Sequence, residues 1–467
     1  MKSHYRTAVV ETSGEPLAVA TGLATSGLFD TYVVYEGPDG WSYAGGAAAE
    51  IVLGPRTVRC TENGTTRERP WRGDPLEPVR EFLDGLDIED WRAYGWSAFE
   101  LAYAIAGAEA GEQVLLHLTV PETEVTLNGS RAVLRSMSSD ALASVEAVMS
   151  RMDPEPRIPA RTAHARLESG GPAYCEGVEA GVRDIRDGRF QKVVLSRVVP
   201  VEGEIDFAAT YMAGRRANTP ARSFLMSMAG MRALGFSPET VVEISAGGRV
   251  TSQPLAGTRA LTGDPATDAQ LREELLADPK ELHEHAISVK VAVDELGGPC
   301  KPETVVVEEY MTVKCRGTVQ HLASRVAGQL PEGGSPWDAF AAVFPAVTAS
   351  GVPKRPSYEA IRGYESQPRG PYAGTVMTVG QDGSMDAALV LRSLFSRGGE
   401  TWLRAGAGVV GNSRPARELE ETVEKLSSVS RHLVPRGSSG PPGGPPAGQV
   451  TVPKQRRPRR AGAQEQS

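Results

Sequence analysis

Short apolar blocks separated by Gly- and Pro-rich turns fill residues 1–155, as in Thr31-Tyr32-Val33-Val34-Tyr35 and Val114-Leu115-Leu116-His117-Leu118. Blocks of this length, rich in β-branched and aromatic residues, predict strands. Residues 75–86 and 97–106 carry helical spacing between them. From residue 174 the patterns sharpen. Strands are predicted over 191–199, 223–228, 240–245, 319–325, 372–379, 385–395 and 401–410, and helices over 206–217, 278–296, 337–344 and 418–432. The 278–296 helix has a well-formed start, with Asp278 as cap, Pro279 in the first position and Glu281 closing a capping box. Ser413 and Pro415 stand near the start of the last helix. Strands and helices mix without a strict βαβ rhythm, which predicts an α+β fold with extensive antiparallel sheet.

The patterning stops at Pro435. Residues 436–467 are rich in Gly, Pro and Ser and include the run Lys454-Gln455-Arg456-Arg457-Pro458-Arg459-Arg460. So little apolar surface does not offset the entropy of ordering, and this tail is predicted to be disordered. Its basic run reads either as a solvated tail or as a dock for an acidic partner. At 467 residues the chain suffices for one large domain or two to three ordinary ones. A formal net charge of −8 argues against nucleic acid or an anionic membrane as partner of the whole protein, but not against a basic pocket. Residues 1–14 lack the apolar stretch of a signal peptide, and no run of about 18 apolar residues occurs anywhere, so a cytoplasmic location is expected. Cys60, Cys175, Cys300 and Cys315 form no CxxC pair and have no histidine cluster beside them, which predicts reduced thiols rather than zinc or disulfides.

The candidate chemistry is acidic. Glu418 and Glu421 are three residues apart and Lys425 follows four later, so all three share a helix face. Two carboxylates there are hard oxygen ligands of the kind Mg²⁺ takes; the alternative is a solvated charged face. Glu281 and Glu284 repeat the spacing on the 278–296 helix, where Glu281 also reads as part of the cap. If the two helices meet, four carboxylates converge, and a divalent cation relieves their repulsion. His283 and His285 face different sides of that helix and read as non-ligands. Lys192 sits in the apolar run Phe190-Gln191-Lys192-Val193-Val194-Leu195-Ser196. A lysine in a buried strand is either paired or loses its proton, and a neutral lysine is a general base; the alternative is a side chain snorkelling from a sheet edge. Glu239 follows the turn in Gly235-Phe236-Ser237-Pro238-Glu239. Glycines in Pro254-Leu255-Ala256-Gly257-Thr258-Arg259 and Ala405-Gly406-Ala407-Gly408 allow close backbone approach to a ligand, though neither is a phosphate loop or a dinucleotide fingerprint.

Taken in order, ten segments resemble the chorismate-utilising enzymes, the group of anthranilate synthase large subunits, aminodeoxychorismate synthases, isochorismate synthases and salicylate synthases. They are FQKVVLSR (190–197), GFSPE (235–239), PLAGTR (254–259), DPKELHEHAISVK (278–290), VQHLASRVAG (319–328), FPAVTASGVPK (344–354), RGPYAG (369–374), DAALVLRS (386–393), WLRAGAGVV (402–410) and ELEETVEKLSSV (418–429). WRAYGWSAFELAY (91–103) and VPETEV (120–125) resemble the family more weakly. The resemblance implies one large domain over residues 1–435, with an N-terminal part (1–155) and the core motifs at 174–435. Two packed sheet-and-helix halves would surround a deep cleft holding chorismate and Mg²⁺. Ala256 stands where aminodeoxychorismate synthases carry a nucleophilic lysine, which excludes that chemistry. Lys192 stands where the water-adding members carry a lysine and the ammonia-using members do not, so no glutaminase partner is implied. FPAVTASGVPK and RGPYAG resemble the salicylate synthase branch. That branch converts chorismate to isochorismate and then to salicylate and pyruvate, commonly as a monomer. The alternatives are an isochorismate synthase that stops before pyruvate loss and an anthranilate synthase-type enzyme.

The same resemblance assigns roles. Glu284 and Glu421 would bind Mg²⁺ directly, and Glu281 and Glu418 would hold its waters. Lys192 would be the base, starting uncharged, and Glu239 the acid, starting protonated. His321 would sit near the ring, positioning or handling a proton. Arg392 and Tyr372 would bind the enolpyruvyl carboxylate, Gly257, Thr258, Thr348, Gly406, Ala407 and Gly408 would line the ring pocket, and Lys425 would support the site.

Overall fold

Side-chain alternation decides the architecture. Along the strand Tyr32–Gly37, Val33 and Tyr35 enter one core and Val34 another; along Arg222–Met228, Phe224 and Met226 part from Leu225 in the same way. Strands apolar on both faces need a covering layer on each side. The computed structural model, which describes residues 3–437 apart from 155, 157, 160, 161 and 318, supplies both layers. The tail beyond residue 437, predicted to be disordered, lies outside the described residues.

Two large sheets carry the fold, and their named strand pairs are all antiparallel. The first runs from Arg6–Glu11 through Tyr32–Gly37, Arg222–Met228 and Met231–Ser237 to Glu400–Val409, Lys192–Pro200 and Gly351–Val352. The second runs from Leu255–Ala260 through Val319–Gln329, Thr240–Ile244, Met385–Leu389 and Thr375–Gly380 to Arg92–Ser97 and finally Thr65–Pro70. One core joins inward residues of both sheets, including Phe224, Phe395, Tyr94 and Met377. The other lies under the helices Pro16–Thr25, Ser139–Met149, Phe207–Ala217 and Pro415–Ser430 on the far face of the first sheet. Because the first 155 residues give strands to both sheets, they are part of the same compact unit, residues 1–435. The four cysteines are unpaired. No helix among the described residues is long and apolar enough to cross a membrane.

The 385–395 segment, expected as one strand, is two. Met385–Leu389 belongs to the second sheet and Ser393–Arg397 to the first, with the chain crossing over at 390–392. Arg392 takes a left-handed φ of 50° at the crossing. A second crossing runs beside it, from Met231–Ser237 to Thr240–Ile244 through Pro238 and Glu239. The two crossings are tied together: the Ser237 hydroxyl donates to the carbonyls of Glu239 and Leu389, and the Leu389 amide donates to the Glu239 carbonyl at 3.1 Å. Other expectations shift as well. Ser97 ends a strand and the following helix is only Leu101–Ile105, while Tyr372 lies in a turn ahead of the strand Thr375–Gly380. Helices Gly171–Arg186, Pro265–Ala277 and Lys354–Tyr364 add to those that the sequence pattern predicts.

Candidate active site

The strand Lys192–Pro200 pairs with Glu400–Val409, setting Val194 opposite Gly408, Leu195 opposite Ala407 and Ser196 opposite Gly406. Val193 and Leu195 point into the core, so Lys192 points to the other face. Its Nζ donates to Glu284 Oε1 at 2.5 Å, and the residue is only 8% exposed. Gly408 makes room for it: a β-carbon there would lie 3.2 Å from Lys192 Cε and 3.7 Å from Glu284 Oε1. The reading of Lys192 as a snorkelling edge residue is therefore set aside.

Glu284 comes from the helix Pro279–Leu296. Asp278 caps that helix as expected, accepting from the amides of Lys280 and Glu281 at 2.9 and 3.4 Å. The other half of the capping box is replaced. Glu281 turns instead to Arg259 Nη1 at 3.4 Å, whose Nη2 also holds Asp278 at 2.6 Å. Glu281 packs over Gly257, which has φ +83°; a β-carbon there would meet Glu281 Oε2 at 3.2 Å. His285 is fully buried with both ring nitrogens engaged, by the Ala256 carbonyl at 3.2 Å and Ser324 Oγ at 2.7 Å. Burial pulls its pKa down to about 4. This is a neutral structural histidine that pins the helix to the second sheet, and His283 is exposed.

The closing helix Pro415–Ser430 lies against Glu400–Val409 and Gly171–Arg186. Lys425 Nζ reaches Glu421 Oε1 at 2.7 Å and the Gly406 carbonyl at 2.9 Å. Glu418 is buried one turn earlier. The four carboxylates act on one another across the helices. Burial and then the charge of Glu284 raise the pKa of Glu281, and burial foremost, with Glu421, raises that of Glu418. Glu284 is held low chiefly by Lys192. Burial works against the charge of Glu421, yet Lys425 holds it low despite repulsion from Glu284. Among the described residues no three His, Cys, Asp or Glu side chains are spaced as a ready metal cage.

Glu239 sits at its sheet crossing, 5% exposed, and accepts from Thr348 Oγ1 at 2.7 Å. Burial pushes its pKa up to about 8, against the pull of hydrogen bonds from Thr348 and the Leu255 backbone and of the Lys192 charge. Burial thus favours its protonated form at neutral pH. His321 Nδ1 is 2.9 Å from Thr258 Oγ1, and Arg392 Nη2 donates to His321 Nε2 at 3.2 Å. Burial, then Arg392 and Lys425, drives the His321 pKa down to about 3, so the ring is neutral with its proton on Nδ1. That geometry suits positioning rather than proton transfer. Tyr372 is buried, with the Arg404 guanidinium 5.6 Å from its ring centroid.

The expected residues thus gather between the first sheet's Lys192/Gly408 edge and the second sheet's Thr258/His321 edge. Sequence reasoning missed what supports them. Glu365 is a fully enclosed carboxylate that holds Arg369 at 2.5 Å and Arg404 at 2.6 Å and accepts the Ser196 amide at 2.7 Å. Arg404 Nε also donates to Ser196 Oγ at 2.9 Å, so the network fixes both the lysine-bearing strand and Tyr372. Only the four-residue spacing of Glu365 and Arg369 hinted at it. A separate cavity of about 590 Å³, lined by Tyr35, Trp41, Arg92 and Tyr94 among others, shares none of the expected site residues.

Residues 30–431 match the chorismate binding enzyme family. The chain belongs to that family. It is 40% identical over 411 residues to a salicylate synthase of Mycolicibacterium paratuberculosis, spanning 87% of this chain and 90% of that protein. Anthranilate synthase component I from Streptococcus pneumoniae superposes with a TM-score of 0.70 at 24% identity, over 84% of this chain and 92% of its own. The menaquinone-specific isochorismate synthase of Escherichia coli superposes with a TM-score of 0.69 at 21% identity, over 93% and 96%. At such identities these two structures speak for the fold alone: two large antiparallel sheets with helices, as in other members of the family.

Proposed function

We propose that this chain is a salicylate synthase, a single catalytic domain that adds water to chorismate to give isochorismate and then releases pyruvate to leave salicylate. One observation carries the reading: an acid kept protonated by burial, Glu239, stands within the electrostatic reach of a buried lysine, Lys192, in a cluster of carboxylates. The similarity to the salicylate synthase of M. paratuberculosis supports it.

Chorismate carries two carboxylates, so its site must supply positive charge. The donor set fits Mg²⁺, which takes one or two carboxylates and otherwise water and substrate oxygens. Glu284 and Glu421 would hold it directly and Glu281 and Glu418 through water, in place of the countercharge that Lys192 and Lys425 give those oxygens. When bound, the ion supplies Lewis-acid polarisation at the ring carboxylate.

Lys192, released from Glu284 and uncharged, takes a proton from water. The water oxygen bonds to the ring carbon beside the carboxylate-bearing carbon, the ring double bonds shift, and the hydroxyl leaves as water with the proton of Glu239. Such an acid or base typically contributes about 10²–10⁴-fold. Arg392 and Tyr372 bind the enolpyruvyl carboxylate, with a planar guanidinium suited to that group. His321 holds Arg392 and Thr258 in place. Gly257, Thr258, Thr348 and residues 406–408 line the ring pocket, and Lys425 supports it. Loss of pyruvate then proceeds by hydrogen transfer within the substrate, which needs positioning and no further base.

Incubation with chorismate and Mg²⁺ tests this, with salicylate followed by its fluorescence and pyruvate by a coupled assay. Both products should appear together without ammonium. Isochorismate accumulating without pyruvate, or anthranilate formed with ammonium, would replace the proposal.

A further inference from the structure

Most enclosed arginines of this fold are matched by a carboxylate: Arg215 by Glu36, Arg222 by Glu243 and Asp386, Arg369 and Arg404 by Glu365. Arg197 is answered instead by Thr422 Oγ1 and the Ser169 carbonyl, and two neighbouring arginines likewise have no carboxylate. Arg392 reaches only His321 and, at 3.3 Å, the carbonyl of Arg316. Arg316 ends the strand Val306–Arg316, and its Nε meets only the carbonyl of Pro238, at 3.4 Å, while Nη1 meets that of Cys315 at 3.1 Å. Among the described residues neither guanidinium has an acidic partner within ion-pair distance. Pro238 is the residue before the acid Glu239, so Arg316 flanks the same sheet crossing that carries the chemistry. The two charges also oppose each other: burial first and Arg316 second pull the pKa of Arg392 down to about 10. A pair of half-desolvated guanidiniums facing only neutral oxygens and a neutral imidazole is a site short of an anion.

We infer that Arg316 is a second anion-attracting residue of the cleft, acting with Arg392 on whichever substrate carboxylate the acidic cluster does not take. The ligand class is a cyclic dicarboxylate, and the inference rests on the proposed reaction. Arg316 stands beside the reacting groups and not among them, so it governs capture and orientation of the dianion. Its carbonyl meanwhile steadies Arg392 whatever side chain is present.

The test compares the full-length protein with Arg316→Gln and Arg316→Lys. Steady-state turnover of chorismate with Mg²⁺ is measured at low and high salt, and chorismate binding by calorimetry in parallel. Arg316→Gln should raise KM about tenfold, the worth of one charge-assisted contact, and more than it lowers kcat. The gap from wild type should narrow as salt rises. Arg316→Lys should recover most of the affinity. Wild-type KM and wild-type salt dependence in an Arg316→Gln protein of unchanged melting temperature would overturn the inference. Wild-type protein that binds chorismate but makes no product would overturn the reaction, and the binding comparison would still decide on Arg316. Wild-type protein that neither binds nor converts chorismate would overturn both.

Discussion

Replacing Glu239 with glutamine should make the protein more stable at neutral pH while removing most of its activity. The carboxyl is 5% exposed, and burial moves its pKa from an ordinary 4.5 to about 8. Between those values the folded chain keeps a proton that the unfolded chain has lost. Stability therefore falls as pH rises through that window, since the folded state binds the extra proton. Each pH unit across it costs about 1.4 kcal/mol, so at pH 7 the acid costs folding about 3 kcal/mol. Glutamine carries no such cost, and Thr348 can still donate to its carbonyl. Its amide lacks a matched acceptor, which takes back about 1 kcal/mol and leaves a net gain of about 2 kcal/mol. Urea midpoints at pH 5 and pH 7.5 measure this. The two proteins should nearly coincide at pH 5, with the variant ahead at pH 7.5. In the same variant kcat should fall about 10²–10⁴-fold through loss of the proton donor, and in the wild type kcat should decline as pH passes 8. If the stability gap does not widen between pH 5 and pH 7.5, Glu239 is not held protonated and its role as acid fails with that.

Three further outcomes are expected. Thr348→Val removes a hydrogen bond that favours the charged form of Glu239, so its pKa should climb beyond about 8 and the alkaline limb of the kcat profile should move to higher pH. A limb left in place would separate Thr348 from the acid. Lys192→Ala should abolish isochorismate formation from chorismate while supplied isochorismate still releases pyruvate, as product analysis by chromatography would show; full activity on chorismate would remove Lys192 as base. Glu421→Gln should weaken Mg²⁺ binding at least about tenfold by calorimetry, the loss of one charged ligand, and an unchanged titration would take Glu421 out of the metal set.

Local chemistry was legible in the sequence wherever one short segment contains its own explanation. Asp278 and Pro279 start a helix, and three- and four-residue spacings put Glu418, Glu421 and Lys425 on one face. The residues that decide the geometry are set by partners far away in sequence. The 385–395 run is apolar enough for one long strand, and nothing local says that it changes sheets at Arg392. Glu281 satisfies a capping pattern, yet Arg259, 22 positions earlier, draws it away. Arg404 and Glu365 meet across 39 positions in a network that no periodicity announces.

The twin crossings explain why this architecture can hold an acid and a base in register. Lys192 and Gly408 belong to the first sheet, while Thr258 and His321 belong to the second. Glu239 and Arg392 sit on two of the covalent links between the sheets, and these two links are bound to each other through the Glu239 and Leu389 carbonyls. The acid is therefore held in place by hydrogen bonds within the crossing, two from the Ser237 hydroxyl and one from the Leu389 amide. Effective catalysis depends on placement to within about an ångström. Damage to the crossing should accordingly lower turnover, and stability with it, because Leu389 and Val390 belong to the core between the sheets. The carboxylate cluster obeys the opposite logic. Its members come from two separate helices and are balanced by Lys192 and Lys425, so its geometry responds to charge, while the acid beside it is fixed by the fold.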